Sequence, residues 1–193
     1  MLETLEKKIY TVLSNSFLNT NLNQKKLLLA ISGGVDSTVM YHIILKISIN
    51  YGFTIGLAHM NYRTSKISEE SMILCRNLSI KNCHPFYLRN THKIMENFEH
   101  RARIKRYSFF KYVKEIEKYD AIITAHHKND LIESLFMKNI NKIDVSAIPF
   151  NDKSIVRPFL SIESDEISKY ANNNNILFYN DPTNKDLKFK RNK

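Results

Sequence analysis

The chain has 193 residues, 43% of them apolar and 25% charged, which fits one globular domain with or without a tail and excludes wholesale disorder. Two Cys exclude a disulfide scaffold, and no apolar run approaches the ~18 residues of a membrane span. Lys plus Arg number 29 against 19 Asp plus Glu, and this net +10 favours a polyanionic partner such as nucleic acid, although abundant Lys, Asn and Ile also fit an A/T-rich genome, as of an endosymbiont, a mollicute or a plastid.

Leu2–Phe17 reads as an amphipathic helix. It is charged from Glu3 onward and lacks the apolar segment of a signal peptide, so a soluble protein in a reducing compartment is expected. Leu27–Ile31 is a short, wholly apolar run, as a strand buried on both faces should be. Ser37–Ile49 follows with helical spacing, Phe53–His59 is again strand-like, and Ser68–Ile80 opens with a Ser-Glu-Glu helix-start signal. His84–Leu88 suits a strand near an edge, because Pro85 cannot donate to a ladder. Phe98–Lys118 is a long basic helix, Asp120–Ala125 a strand, Asn129–Ile140 a helix, Ile155–Phe159 a short strand and Ser161–Asn172 a helix. Asn172 to Asn175 read as a polar loop.

Strands alternating with helices imply right-handed βαβ units. The expected fold class is therefore α/β, a doubly wound parallel sheet of about five strands with an N-terminal helix. Residues 1–180 form the expected domain, and 181–193 a basic tail with Lys185, Lys188, Lys190, Arg191 and Lys193. In such sheets ligands sit beyond the carboxyl ends of the strands, which directs attention to the residues after Ile31, His59, Leu88 and Ala125.

After the first strand the chain reads Ser32-Gly33-Gly34-Val35-Asp36-Ser37-Thr38. Two of the four Gly in the protein sit here side by side, allowing positive φ and close approach of backbone to a ligand. Hydroxyls and free N–H groups at a helix start make an anion cradle. Asp36 would repel phosphate unless a cation intervenes, so it points to Mg²⁺. Neither the Walker nor the dinucleotide glycine pattern is present, which disfavours both of those classes.

Ser32–Ser37 after an apolar strand resembles the pyrophosphate loop of the N-type ATP pyrophosphatases, the PP-loop superfamily. Four further blocks are similar to the tRNA(Ile)-lysidine synthetase family within it. These are Ala58-His59-Met60-Asn61-Tyr62-Arg63; Asn97-Phe98-Glu99 with Ala102-Arg103, Arg106-Tyr107 and Phe109; Thr124-Ala125-His126-His127 with Asp130 and Glu133; and Arg157-Pro158 with Asp181-Pro182-Thr183-Asn184, Asp186 and Arg191-Asn192. Tyr62 stands where the family often has His, and Asn129 and Leu131 replace an Asp and a Gln. Many family members carry C-terminal domains beyond the point where this chain stops, so a short form is expected, either a minimal catalytic domain or a truncated reading frame.

The resemblance implies ATP as cosubstrate on Ser32, Gly33, Gly34, Val35, Asp36 and Ser37, with Mg²⁺ at Asp36. It implies free lysine and a CAU-anticodon tRNA(Ile) as the other substrates, no membrane partner, and a location in bacterial cytoplasm or plastid stroma. A homodimer is among the assemblies it allows. Arg103 and Arg106, three apart on one helix face, suit phosphate oxygens. Asp130 and Glu133 either hold Mg²⁺ or grip the lysine amine; read alone, they would balance a helix macrodipole. His126 and His127 contact phosphate or shuttle a proton, and Asn61 completes the substrate set. His59 sits at a strand end too, where its bland alternative is a satisfied polar strand terminus. Cys75 and Cys83 match no zinc or redox spacing, Cys75 suiting a helix core face, which counts against a tRNA thiolase. A non-catalytic tRNA-binding remnant and a metal hydrolase built on His126, His127, Asp130 and Glu133 are the remaining alternatives.

Overall fold

The computed structural model describes residues 3–17, 21–91, 98–132 and 154–179. Helix α1 (Thr4–Ser16) is followed by a 3-10 turn (Leu22–Gln24) and strand β1 (Lys26–Ala30). Then come α2 (Val35–Tyr51), β2 (Thr54–Asn61), α3 (Lys66–Lys81), β3 (Phe86–Asn90), α4 (Phe98–Ile116), β4 (Ala121–Ile123), β5 (Ile155–Val156) and α5 (Ser164–Asn173). A helical turn also covers 128–132.

The five strands lie in the order β3-β2-β1-β4-β5, and every pairing is parallel. The doubly wound α/β sheet expected from the sequence is therefore what the chain forms. Period-two alternation along the central strand sorts its side chains to two cores. Leu27, Leu29 and Ile31 join Leu57, Ile123 and the apolar faces of α1, α2 and α5. Leu28 joins Ala58, Met60, Ile122 and the α4 residues Phe109, Phe110 and Val113. Because both faces are covered, the β1 run had to be apolar throughout.

Element ends differ from the sequence expectation in small ways with local causes. Helix α3 starts before Ser68: Ser65 is the N-cap, and Ser65 and Ser68 close a reciprocal capping box. Strand β4 stops at Ile123, although Thr124 N–H still reaches Val156 C=O at 3.1 Å. Beyond that bond the chain leaves the sheet and turns into 128–132. Strand β5 ends before Arg157, and 158–161 form turns. Pro85 precedes β3, the edge strand, as expected. The predicted helix over Asn129–Ile140 is seen only to 132, and its remainder lies outside the described residues.

Strand order reverses at β1: the chain runs to β2 and β3 on one side, then to β4 and β5 on the other. Such a reversal leaves a crevice between the carboxyl ends of β1 and β4.

Candidate active site

Two segments meet at that crevice: the loop after β1 and the turn after β4. The first leaves the sheet through Ile31, whose N–H still reaches Ala58 C=O at 3.0 Å. Gly33 then adopts φ +87°, and a Cβ on it would lie 2.8 Å from the Ser71 Cβ of α3. Only Gly fits there, for both reasons. Gly34 is the N-cap of α2, and its carbonyl accepts from Thr38 N–H at 3.0 Å, Thr38 Oγ1 at 2.8 Å and Ser37 Oγ at 3.1 Å. Ser37 Oγ also accepts from Ser32 N–H at 3.1 Å and lies 3.0 Å from Ser32 Oγ, which accepts from Gly34 N–H. The hydroxyls thus fix the loop on itself. The first-turn N–H groups of α2 have no intrahelical acceptor, and the helix dipole adds positive potential at the same place.

Asp36 sits in that first turn. His127 Nε2 lies 3.8 Å from Asp36 Oδ2 and 3.6 Å from Asp130 Oδ2, while Asp130 Oδ2 accepts from His127 N–H at 2.9 Å. The two loops are thereby joined through Asp36, His127 and Asp130. Burial raises the Asp36 carboxyl above the ordinary range; His127 opposes this and Asp130 reinforces it. Two carboxylates facing one imidazole fit Mg²⁺, which usually takes one or two protein carboxylates plus substrate phosphates and water. Among the described residues no three His, Cys, Asp or Glu side chains are placed to hold a metal ion by themselves, so phosphate oxygens would have to complete the coordination.

His126 precedes His127 in the turn after β4. Its Nδ1 lies 2.9 Å from Thr124 Oγ1. Burial, followed by the charges of Arg157, Arg103, Arg106 and His127, pushes it down to about 3, so the ring is neutral at physiological pH. Arg103 and Arg106 do share a face of α4, and Arg103 stacks over Tyr107 at 5.3 Å from the ring centroid. Arg157, beyond β5, is 7% exposed and joins them. The sequence reading noted Arg157 in a block but gave it no role; an Arg just past a strand end was the available signal.

Asn61 and His59 stand at the carboxyl end of β2. Asn61 is buried; it donates to Glu69 Oε1 at 3.0 Å and accepts from Arg63 N–H at 2.9 Å. It thereby shapes the turn in which Arg63 takes φ +52°. His59 is buried with Nδ1 2.8 Å from Ile31 C=O, which fits the bland alternative of a satisfied strand terminus. Tyr62 donates to Ala102 C=O at 3.0 Å, tying this end of β2 to α4 beside Arg103. Glu133 and the 181–193 tail lie outside the described residues. One contact had no sequence signal: Tyr179 N–H donates to Gly33 C=O at 2.9 Å, bringing the chain after α5 back onto the loop. An open groove of about 400 Å³ between α1 and α5 shares no residue with this site.

A family model described as a PP-loop domain matches residues 1–193. The chain belongs to the PP-loop domain family. Among curated relatives it is 30% identical over 178 residues to the tRNA(Ile)-lysidine synthase of Campylobacter jejuni, covering 89% of this chain and 54% of that protein. It is 31% identical over 177 residues to the tRNA(Ile)-lysidine synthase of Persephonella marina, covering 87% of this chain and 39% of the relative. The chain therefore spans about half or less of the length of these relatives. Among solved structures, the U34-tRNA thiolase NcsA of Methanococcus maripaludis, with its [4Fe-4S] cluster, superposes with a TM-score of 0.76 at 17% identity, covering 92% of this chain and 65% of that one. At that identity the likeness establishes the PP-loop fold alone.

Proposed function

We propose that this chain is an AMP-forming carbon–nitrogen ligase that joins free lysine to C-2 of the wobble cytidine of a CAU-anticodon tRNA(Ile). The observation that carries the reading is the convergence of the Ser32–Ser37 loop with Asp36, His127 and Asp130 at the sheet's switch point. The similarity to tRNA(Ile)-lysidine synthases supports the substrate choice.

In this reading the α2 N-terminus and the loop N–H groups hold the ATP phosphates. Mg²⁺ held by Asp36 and Asp130 would neutralise phosphate charge. The cytosine O-2 attacks the α-phosphorus and the bond to the pyrophosphate oxygen breaks. The lysine ε-amine then attacks C-2; AMP leaves with the former O-2 and the amine loses a proton. Asp130 and Glu133 are assigned to orient lysine or take that proton. Arg103 and Arg106 offset charge on phosphate oxygens. Neutral His126 acts as a hydrogen-bonding group. Asn61 keeps the β2 turn in place. The basic 181–193 tail adds RNA phosphate contacts, and the protein works in bacterial cytoplasm or plastid stroma. Among the described residues no helix is long and apolar enough to cross a membrane.

The thiolase alternative is weaker on chemistry: Cys75 is in the core with its thiol pushed up to about 12 by burial, and Cys83, the other cysteine, follows α3. A buried thiol with so high a pKa is a poor nucleophile. The deciding experiment measures AMP release with Mg²⁺, ATP and lysine, with and without a CAU-anticodon tRNA(Ile) transcript. AMP that requires both tRNA and lysine and vanishes in Asp36→Ala is expected. AMP formed without a lysine requirement would sink the ligase reading.

A further inference from the structure

Arg157 is the most deeply buried charged group at the site, and no role is yet attached to it. The residue is 7% exposed, and its buried Nε and Nη2 make no hydrogen bond. Buried Nη2 of Arg103 and Nε of Arg106 are also without a partner. All three charges act on His126, and Arg106 and Arg157 act on Arg103. Among the described residues none of the three forms an ion pair. Asp130, the carboxylate that Arg103 does feel, is engaged through Oδ2 with His127.

A guanidinium does not escape this situation by losing its proton. Burying one guanidinium beside two part-buried ones, each with an open buried donor, costs free energy unless an anion meets them. We propose that Arg157, Arg103 and Arg106 form a phosphoryl-oxyanion site on the α4 and β5 side of His126, complementary to the Ser32–Ser37 loop. Two features select phosphoryl over carboxylate. Three forked donors from α4 and from the chain after β5 match the out-of-plane oxygens of a tetrahedral phosphoryl group, three on a terminal phosphate and two on a diester, whereas a carboxylate offers two oxygens in one plane. His126 adds a neutral donor: when the Thr124 hydroxyl donates to Nδ1, the ring proton stays on Nε2. The phosphoryl group belongs either to RNA or to a nucleotide. The inference deepens the proposed ligase reading, on which it rests for the presence of both, but anion binding itself is measured without lysine or turnover.

The test uses the full chain and its Arg157→Leu and Arg157→Lys variants. Thermal unfolding is followed at matched ionic strength in chloride, inorganic phosphate and acetate. Phosphate is expected to raise the midpoint of the wild type; the rise should shrink in Arg157→Leu and recover in part in Arg157→Lys. In chloride, Arg157→Leu should be no less stable than wild type, since an uncompensated buried charge has been removed. Affinities for a single-stranded RNA oligonucleotide and for ATP then identify the source. A loss of about tenfold or more is expected for whichever carries the phosphoryl group, as for one charge-assisted hydrogen-bonded contact. Should Arg157→Leu fail to fold, Arg103→Gln is read the same way. An unchanged phosphate response in the variant, a rise with acetate equal to that with phosphate, or a loss of stability confined to chloride would each overturn the site. None of these depends on AMP release, so the ligase reading stands or falls separately.

Discussion

Asp36 carries a negative charge where burial and Asp130 both disfavour one. A carboxyl whose folded pKa is raised contributes stability below its ordinary pKa, near 3.9, and loses it as pH rises through the folded value. At neutral pH the ionised group therefore works against the fold unless a cation meets it. Asp36→Asn is expected to raise the unfolding midpoint at neutral pH in chelator, and the advantage should narrow with Mg²⁺ and ATP and disappear toward pH 3. Equal midpoints for the two proteins across that range would remove the argument that Asp36 is held for a cation. Gly33 makes the complementary case in the backbone. Its φ of +87° and the 2.8 Å approach to Ser71 oppose any Cβ. Gly33→Ala should cost about 1–3 kcal/mol, as strained backbone positions do. Adding Ser71→Gly should restore the part due to the Ser71 Cβ and leave the part due to φ and to the Ser71 backbone, whose Cα and O would lie 3.0 and 3.1 Å from the new Cβ; urea unfolding of the four proteins of that cycle measures both parts.

Helices α1, α2 and α5 are held together, away from the site, by a buried carboxylate. Glu6 of α1 is fully buried and accepts from Lys46 Nζ of α2 and Tyr170 OH of α5, each at 2.7 Å, and from Glu3 N–H at 2.8 Å. Burial alone would raise its carboxyl, but these donors outweigh it and the net shift is downward. A depressed carboxylate contributes stability that is present above its unfolded pKa, near 4.3, and lost as pH falls through the lower folded value. Glu6→Gln should destabilise at pH 7 by about 1–3 kcal/mol, the range for unmaking charge-assisted hydrogen bonds, with Lys46 half-exposed and able to reach water. The difference should vanish at the acid end of a pH series of urea unfolding curves; a constant difference would mean the cost is steric. Glu6 also marks a limit of sequence reading. An amphipathic α1 follows from Leu5, Ile9 and Leu13, but a glutamate among them reads as solvated, because its partners lie 40 and 164 residues away. The Ser32–Ser37 loop was legible because strand, glycines, hydroxyls and helix start are contiguous. Arg103 and Arg106 were legible because helical spacing joins them. The neighbours of Arg157, noted only within a block, and the contact of Tyr179 were not, since they are set by strand order and chain return rather than by local pattern.

At the scale of the whole molecule, the sheet determines where charge is used. The +10 excess would attract any polyanion, yet the crevice also contains Asp36 and Asp130, so charge alone does not position RNA. Phosphate contacts to lysines and arginines release counterions, and affinity for a single strand falls with a slope of about −0.7 per contact on logarithmic axes. If the three arginines meet RNA, Arg157→Leu should reduce that slope by about 0.7 as well as the affinity, the change expected of one lost phosphate contact. Exposed surface lysines would instead change the slope without changing discrimination between nucleic acid and other polyanions. The measurement is RNA binding from 50 to 300 mM chloride for wild type, Arg157→Leu and a Lys66→Ala, Lys81→Ala surface control. A reduced slope in the control and an unchanged slope in Arg157→Leu would place RNA on the outer surface of α3, and leave the crevice arginines to the nucleotide.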